Sequence, residues 1–569
     1  MTDSHFDAIV VGSGFGGSVT AYRLAEAGKR VLILERGRAY PPGAFTRSPY
    51  KARQSFWNPE RGLTGMYHYW SFKGIDALVS AGLGGGSLIY ANVFLRKDER
   101  WFIDEDVNDG GYESWPVTRA DLDPHYDRVE KMIGLQRYPF DHEPYAATPK
   151  TIAFKHAAEQ NGLEWFLPQL AVTFANEGRP PVPGEKIVET IPNLHGRDRV
   201  TCQLCGECDV GCNFGAKNTL DYNYLTHAKH QGAEIRTLAD VRTIAPREGG
   251  GYTVGYVSLD ADRGAAEHNG RPAPLTRLTC DHLVLSAGTL GTTNLLLRNR
   301  SAFPRLSRKL GTRFCGNGDL LTLAVNCAEV TDGKRVPRLI DSGYGPVITS
   351  TARMPDALDG GEGRGFYLQD AGYPQHLAWI LHVLAAPKTL WNWRSHGAYL
   401  VKNWIKGSPD TDVTGHIADL LESAELSAGG LPLLGMGRDI PDGRMFLRNG
   451  HLDLDWKSEK SNAYFDRLRT TSRGFAHSLG GKFADNPIWF LKRVITVHPL
   501  GGAPMGRRSG EGVVDPWGNA FGYPGLHIAD GSVMPGPTGP NPSFTIAALA
   551  DRFADRILEP TPAAEAAAT

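Results

Sequence analysis

The stretch DAIVVGSGFGGSVTAYRLAEAGKRVLILERG, Asp7 to Gly37, decides the fold. It opens on a continuous apolar run, Ala8 to Val11, the pattern of a parallel strand buried on both faces. A glycine-rich turn follows, Gly12-Ser13-Gly14-Phe15-Gly16-Gly17, then a helix carrying Val19, Leu24 and Ala25, then a second strand, Val31 to Leu34, which ends on Glu35. In such a turn the first glycine permits the tight bend, the second lets a pyrophosphate approach the backbone, and the third allows helix and strand to pack closely. The helix N-terminus then faces the phosphates, and an acidic residue ending the next strand accepts from ribose hydroxyls. Gly12, Gly14, Gly17 and Glu35 fill those four places, so the segment predicts a dinucleotide-binding unit. NAD and FAD share this geometry, and the unit alone does not choose between them.

Charge and composition remove other classes. Across 569 residues, 61 Lys+Arg face 62 Asp+Glu, so no electrostatic surplus favours a phosphate backbone and no nucleic-acid partner is expected. The opening MTDSHFDAIVVGSG reaches a strand within a few residues without the basic and apolar regions of a signal peptide, which gives a cytoplasmic expectation. LAWILHVLAAP, Leu377 to Pro387, is too short to span a bilayer and is interrupted by His382; a buried or pocket-lining helix is expected there.

Three remote stretches narrow the dinucleotide. SAGLGGGSLIYANV (Ser80 to Val93) is a second glycine-rich loop suited to close backbone approach. DHLVLSAGTLGTTNLLLRN (Asp281 to Asn299) reads as strand, glycine turn and helix, and GLHIADGSVMPGPTGPNPSFTIAALADRFADRIL (Gly525 to Leu558) as strand, long linker and final helix. With VVGSGFGGS, GLGGGSL, VLSAGTLGT, HPLGG and IADGSVMPGPTGPNPSFTIAALA in order along the chain, the sequence resembles the glucose-methanol-choline (GMC) oxidoreductases, and among them the bacterial cholesterol oxidase branch. The resemblance implies an α/β fold in which a Rossmann-like FAD-binding domain is interleaved with an α+β substrate-binding domain. The expected divisions are FAD-binding segments at 1–110, 201–310 and 491–560, a substrate-domain insertion at 111–200 and the substrate-binding domain at 311–490.

It also implies the cofactor contacts. Gly12, Ser13, Gly14, Phe15, Gly17, Glu35 and Arg36 would hold the ADP half of FAD, with Gly84, Gly85 and Ser87 near the isoalloxazine and Asp530 and Gly531 near the pyrophosphate and ribitol. Asn92, Val93, Gly288, Pro542 and Ser543 complete the expected set, although many members place an asparagine sooner after the GGS than Asn92 stands here.

Removing hydrogen from an alcohol needs a hydride acceptor and a group that takes or orients the hydroxyl proton. In VITVHPLGGAPMG, His498 follows a short β-branched run, as suits a side chain exposed at a strand end. Asn541 precedes Pro542, the pattern of an N-cap followed by proline at the first helical position. Phe544, Ile546, Leu549, Phe553 and Ile557 give the helix that follows its apolar stripe. The resemblance matches His498 and Asn541 to the family's active-site pair. It also aligns Gln369 with a glutamate that isomerises the double bond in steroid-oxidising relatives; a glutamine is no base near neutral pH, which leaves Asp370 as the auxiliary candidate. The implied substrate is a lipophilic alcohol, with O2 or another electron acceptor closing the cycle. A flavin-dependent photodecarboxylase is the alternative from another class.

TCQLCGECDVGC holds Cys202, Cys205, Cys208 and Cys212 at C-x2-C-x2-C-x3-C, the ferredoxin spacing, with Asn213 where a proline usually follows. An iron-sulfur relay beside the flavin, a zinc site and four reduced thiols all remain open on spacing alone. Cys280, Cys315 and Cys327 are isolated and read as core residues. From Leu377 to Asp455 tryptophans and leucines recur at near-helical spacing, as in a packed core or a greasy pocket for a bulky alcohol; Trp391, Trp393 and Trp404 leave open a transient membrane-surface contact.

Overall fold

The computed structural model describes residues 5–106, 111–260, 274–373 and 429–559. The strand His5–Val11 lies at the centre of a seven-stranded sheet, and its residues Ala8, Ile9, Val10 and Val11 are all buried, as the unbroken apolar run requires. Val31–Leu34 pairs parallel on one side and is followed outward by Glu234–Arg236. On the other side runs Thr276–Leu285, a ten-residue strand whose far edge takes two different neighbours. Its first half takes an antiparallel meander, Tyr252–Ser258 and Ala239–Pro246, while Leu283 to Leu285 pair parallel with Leu526–Ile528. One sheet therefore draws on three stretches of chain far apart in sequence.

The helix Phe15–Glu26 leaves the first strand through Gly12, whose φ of +99° favours glycine. A side chain at Gly17 would collide with the Gly12 carbonyl, so the predicted close helix–strand packing is present. The last helix, Ser543–Leu558, covers the same face of the sheet, sending Phe544, Leu549 and Phe553 inward; each such side chain, once fully buried, contributes roughly 1.5–3 kcal/mol. Ala547, Ala548, Ala550 and Ala554 keep that helix slim enough to pack closely. Its buried Asp551 accepts from His125 Nδ1 and Arg128 Nε, both at 2.7 Å, tying it to the helix Arg119–Ile133.

A second, six-stranded sheet is antiparallel, ordered Lys482–Asp485, Leu320–Val325, Leu431–Gly437, Phe366–Asp370, Thr351–Met354 and Trp165–Phe166. The helix Asn462–Ser478 closes one face with Phe465, Leu468 and Phe475. Leu321 and Leu434, cross-strand partners, belong to the other face and look into a cavity between the two sheets. A three-stranded sheet, Tyr67–Ser71, Ile75–Ser80 and Val494–Thr496, supplies a further wall. The Leu377 to Pro387 run and Trp391, Trp393 and Trp404 lie outside the described residues. Among the described residues no helix is long and apolar enough to cross a membrane.

Candidate active site

A cavity of about 770 Å3 opens where the carboxyl ends of the parallel strands meet the second sheet. This is the crevice in which open α/β sheets bind their ligands. Its wall includes Gly12, Ser13, Gly14, Phe15, Glu35, Arg36, Gly85, Val93, Gly288, Asp530, Gly531, Pro542 and Ser543. Gly17, Gly84, Ser87 and Asn92 stand behind it. Ser87 Oγ accepts from Leu220 N at 3.1 Å and donates to Gly84 O at 2.7 Å, which braces the second glycine loop from within. Asn92, buried at φ +69°, sits with its amide beside the Cys208 thiol.

At the nucleotide end two helices, Phe15–Glu26 and Gly288–Arg298, begin at the cavity, and neither has an acidic residue in its first turn. Their first-turn N–H groups suit an anion. A Cβ added at Gly14 or Gly288 would meet nothing within 4 Å, so both positions leave open space for a ligand to touch backbone. Glu35 is buried; Oε2 accepts from Ser13 N at 3.1 Å and Oε1 from Gly37 N at 2.8 Å. Arg36 donates from Nη2 to His68 Nδ1 at 3.1 Å, and burial together with the Arg36 cation holds that imidazole well below its usual value. Asp530 caps the second helix, accepting from Gly288 N at 3.0 Å and Ser532 N at 2.8 Å, while its burial pushes the carboxyl up. Thr289 Oγ1, Asn294 Oδ1, Ser80 Oγ, Trp70 Nε1 and Asp209 Oδ1, all on lining residues, are enclosed without a partner among the described residues. Burial raises the Asp209 carboxyl to about 6. A cradle with open glycines, two helix N-termini and unmatched polar atoms fits a large dinucleotide.

The opposite end is apolar, built from Val79, Leu321, Leu434, Pro432, Ile495 and Val497, with His498 and Asn541 set into it. The structure thus brings the two remote catalytic candidates to one chamber. His498 lies two residues past the short strand Val494–Thr496, its Nδ1 2.8 Å from Oδ1 of the buried Asp319. Asn541 does not cap the final helix, as the Asn-Pro pattern had predicted. That helix begins at Ser543 with Pro542 at the cap, because the Asn541 carboxamide is engaged elsewhere: its Oδ1 accepts from Gln369 Nε2 at 3.0 Å. Among the described residues Asn541 Nδ2 has no protein partner, so it is left to donate into the cavity.

Gln369 and Asp370 part company, because successive side chains of a strand point to opposite faces. Gln369 reaches Asn541. Asp370, fully buried, is bound by Lys150 Nζ at 2.7 Å, Thr349 N at 2.8 Å and Ser350 N at 2.7 Å, and it is absent from the cavity wall. It is therefore a structural ion-pair partner, which corrects its reading as a substitute base.

The four cysteines of the 202–212 loop line one small cavity of about 20 Å3, room for roughly one water. No group of three or more His, Cys, Asp or Glu side chains among the described residues could hold a metal ion. Burial, the first cause in each case, pushes Cys205 up to about 12 and raises Cys202 and Cys208 as well. A cluster at Cys202, Cys205, Cys208 and Cys212 is therefore not supported: the thiols converge on an enclosed space with room for roughly one water, and their burial favours protonated sulfur. Sequence reasoning missed Asp319 and Asp209. Asp319 carried a signal in its Asn-Gly-Asp turn; Asp209 carried none apart from the cysteines around it.

Comparison with known proteins agrees with this geometry. The family model for GMC oxidoreductases matches residues 192–315 and 457–550, and one for NAD(P)-binding Rossmann-like domains matches 10–52. These matches give the chain GMC oxidoreductase domains and an oxidoreductase activity of the kind that acts on CH–OH groups. It is 29% identical to a cholesterol oxidase of Mycobacterium tuberculosis, over 96% of this chain and 90% of that protein, and 26% identical to a cholesterol oxidase of Acinetobacter baumannii, over 96% and 93%. A long-chain-alcohol oxidase of Arabidopsis thaliana is 21% identical across 97% of this chain and 67% of its own length. The crystal structure of pyridoxine 4-oxidase from Mesorbium loti shares the fold, with a TM-score of 0.56 at 17% identity over 97% of this chain and 98% of that one.

Proposed function

We propose that the cavity holds FAD and that the protein oxidises a lipophilic alcohol to a ketone or aldehyde. Bound there, FAD supplies the hydride acceptor. Gly12, Ser13, Gly14 and Phe15 line the approach to its phosphates, Glu35 and Arg36 the sugar end, and Asp530 with Gly531 the stretch between. The apolar walls receive the carbon skeleton and exclude water, which strengthens every hydrogen bond made inside. His498 accepts the hydroxyl proton at Nε2, and Asn541 Nδ2 donates to the same oxygen and fixes its position.

The observation that carries this reading is the meeting of His498 and Asn541 at the apolar end of a cavity whose other end is a nucleotide cradle. Support for a greasy substrate comes from the walls and from the cholesterol oxidase and long-chain-alcohol oxidase relatives. The test is an anaerobic panel of sterols, long-chain alcohols and small polar alcohols, with bleaching of the flavin band as readout. Bleaching by the lipophilic members is expected. Colourless protein that takes up no FAD, or turnover of fatty acids only under light, would replace the reading.

A further inference from the structure

Two groups from separate parts of the chain must stand at a fixed spacing for the proposed chemistry, and one buried turn touches the supports of both. The turn Gly316–Asp319 leads into the strand Leu320–Val325. Asp319 is 2% exposed. Its Oδ1 lies 2.8 Å from His498 Nδ1, and its Oδ2 accepts from Val497 N and Thr496 Oγ1, each at 2.9 Å. The carboxylate thus fixes the imidazole and the two residues before it. Two positions earlier, Asn317 is fully buried at φ +53°. Its Oδ1 accepts from Thr538 N at 2.9 Å and Gly539 N at 3.0 Å, and its Nδ2 donates to Pro540 O at 3.1 Å. Those three residues lead directly to Asn541.

From this geometry we infer that the Gly316–Asp319 turn positions both members of the polar pair: Asp319 holds His498 with its proton on Nδ1, and Asn317 sets the height of Asn541 in the chamber. A carboxylate only accepts, so the imidazole nitrogen facing it carries the hydrogen, and Nε2 presents its lone pair to the cavity. Asp319 and Asn317 need not touch substrate to do this; they are positioning residues. The assignment rests on the proposed alcohol oxidation for its consequence and on the hydrogen bonds alone for its structure.

The test reads the two separately. Proton NMR of the purified holoprotein is expected to show a far-downfield one-proton resonance from the His498 Nδ1–H, lost in His498→Gln and in Asp319→Asn. In Asp319→Asn the single amide oxygen is taken by Val497 N–H and the NH2 donates to the imidazole, which moves the ring hydrogen from Nδ1 to Nε2, so the maximal rate of anaerobic flavin reduction is expected to fall about 100-fold at unchanged FAD content. Asp319→Glu, which keeps the carboxylate, is expected to restore part of both. Asn317→Ala is expected to keep the resonance and still slow reduction. A wild-type protein without the resonance, or an Asp319→Asn protein that reduces at the wild-type rate, overturns the inference; the first of these outcomes needs no variant to fold. A resonance present in a holoprotein that no alcohol reduces would instead remove the oxidation and leave the tautomer standing.

Discussion

Gly14→Ala separates folding from cofactor binding more cleanly than any other single change in the nucleotide cradle. Gly14 caps the first helix at φ −70° and ψ −170°, a conformation open to any residue, and its added methyl would meet no protein atom within 4 Å. The apoprotein should therefore lose only several tenths of a kcal/mol to about 1 kcal/mol, the preference of a helix cap for glycine over alanine. The methyl would instead occupy space that a phosphate needs in order to reach the helix N–H groups. A hydrogen bond to a charged group contributes about 1.5–3 kcal/mol, so loss of one such bond raises the FAD dissociation constant roughly 10- to 150-fold. Titrating apoprotein with FAD by flavin fluorescence quenching, alongside apoprotein melting curves, measures both effects. Gly17→Ala is the control with the opposite expectation, since its methyl strikes the Gly12 carbonyl and should destabilise the apoprotein itself. If Gly14→Ala binds FAD as tightly as the parent, the dinucleotide does not approach the backbone at this turn and the reasoning fails.

Gln369→Leu removes the donor that fixes the Asn541 carboxamide; one neutral hydrogen bond of about 1 kcal/mol predicts flavin reduction slowed about fivefold with FAD content unchanged, and an unaltered rate would show that Asn541 needs no such support. Lys97 is fully buried with its Nζ on the carbonyls of Pro537 and Thr538, and burial draws it from 10.5 down to about 7. Between those values the unfolded chain holds the proton and the folded chain does not, so stability should rise with pH across that window, and Lys97→Met should flatten the rise in denaturant titrations. Because burial raises the Cys202, Cys205 and Cys208 thiols, Ellman's reagent should label them slowly in the native protein at neutral pH and rapidly after unfolding. Fast native labelling would contradict the enclosed pocket, and stoichiometric iron in the purified protein would reinstate a cluster.

How much of this was legible depended on whether the information was local. The first strand, turn, helix and second strand could be read in full because an unbroken apolar run, four spaced glycines and a terminal Glu35 each serve a backbone need met within thirty residues. The same holds for the final helix, whose apolar stripe is buried as its spacing requires, with Ile546 half-buried at the cavity wall. Asn541 was found by pattern and misread in geometry: Asn-Pro commonly caps, but a long-range partner, Gln369, takes the carboxamide first. The cysteines were legible only in part as well. Spacing shows that four thiols can converge, but not how much room is left between them once Lys217 Nζ has been drawn onto the Cys208 carbonyl at 2.7 Å. The Asn-Gly-Asp pattern marked Asp319 as a turn residue and no more, because its contact with His498 lies 179 residues away in sequence.

That same long range sets when the site can exist during folding. The central strand His5–Val11 pairs with Thr276–Leu285, which pairs with Leu526–Ile528, and His498 and Asn541 are held by a turn at Gly316–Asp319. Every one of these contacts closes a loop of at least 179 residues, which costs chain entropy before any apolar burial offsets it. The nucleotide cradle, made from the first, central and last stretches together, is complete only when the sheet is. A dinucleotide that binds the closed form alone must then stabilise it by RT ln(1 + [L]/Kd), about 2.7 kcal/mol at a hundredfold excess over the dissociation constant. Cofactor retention and thermal stability are in this way one property of the fold, and loss of either through a change at the Gly316–Asp319 turn would mean that its role is to hold the sheets together rather than to set the pair.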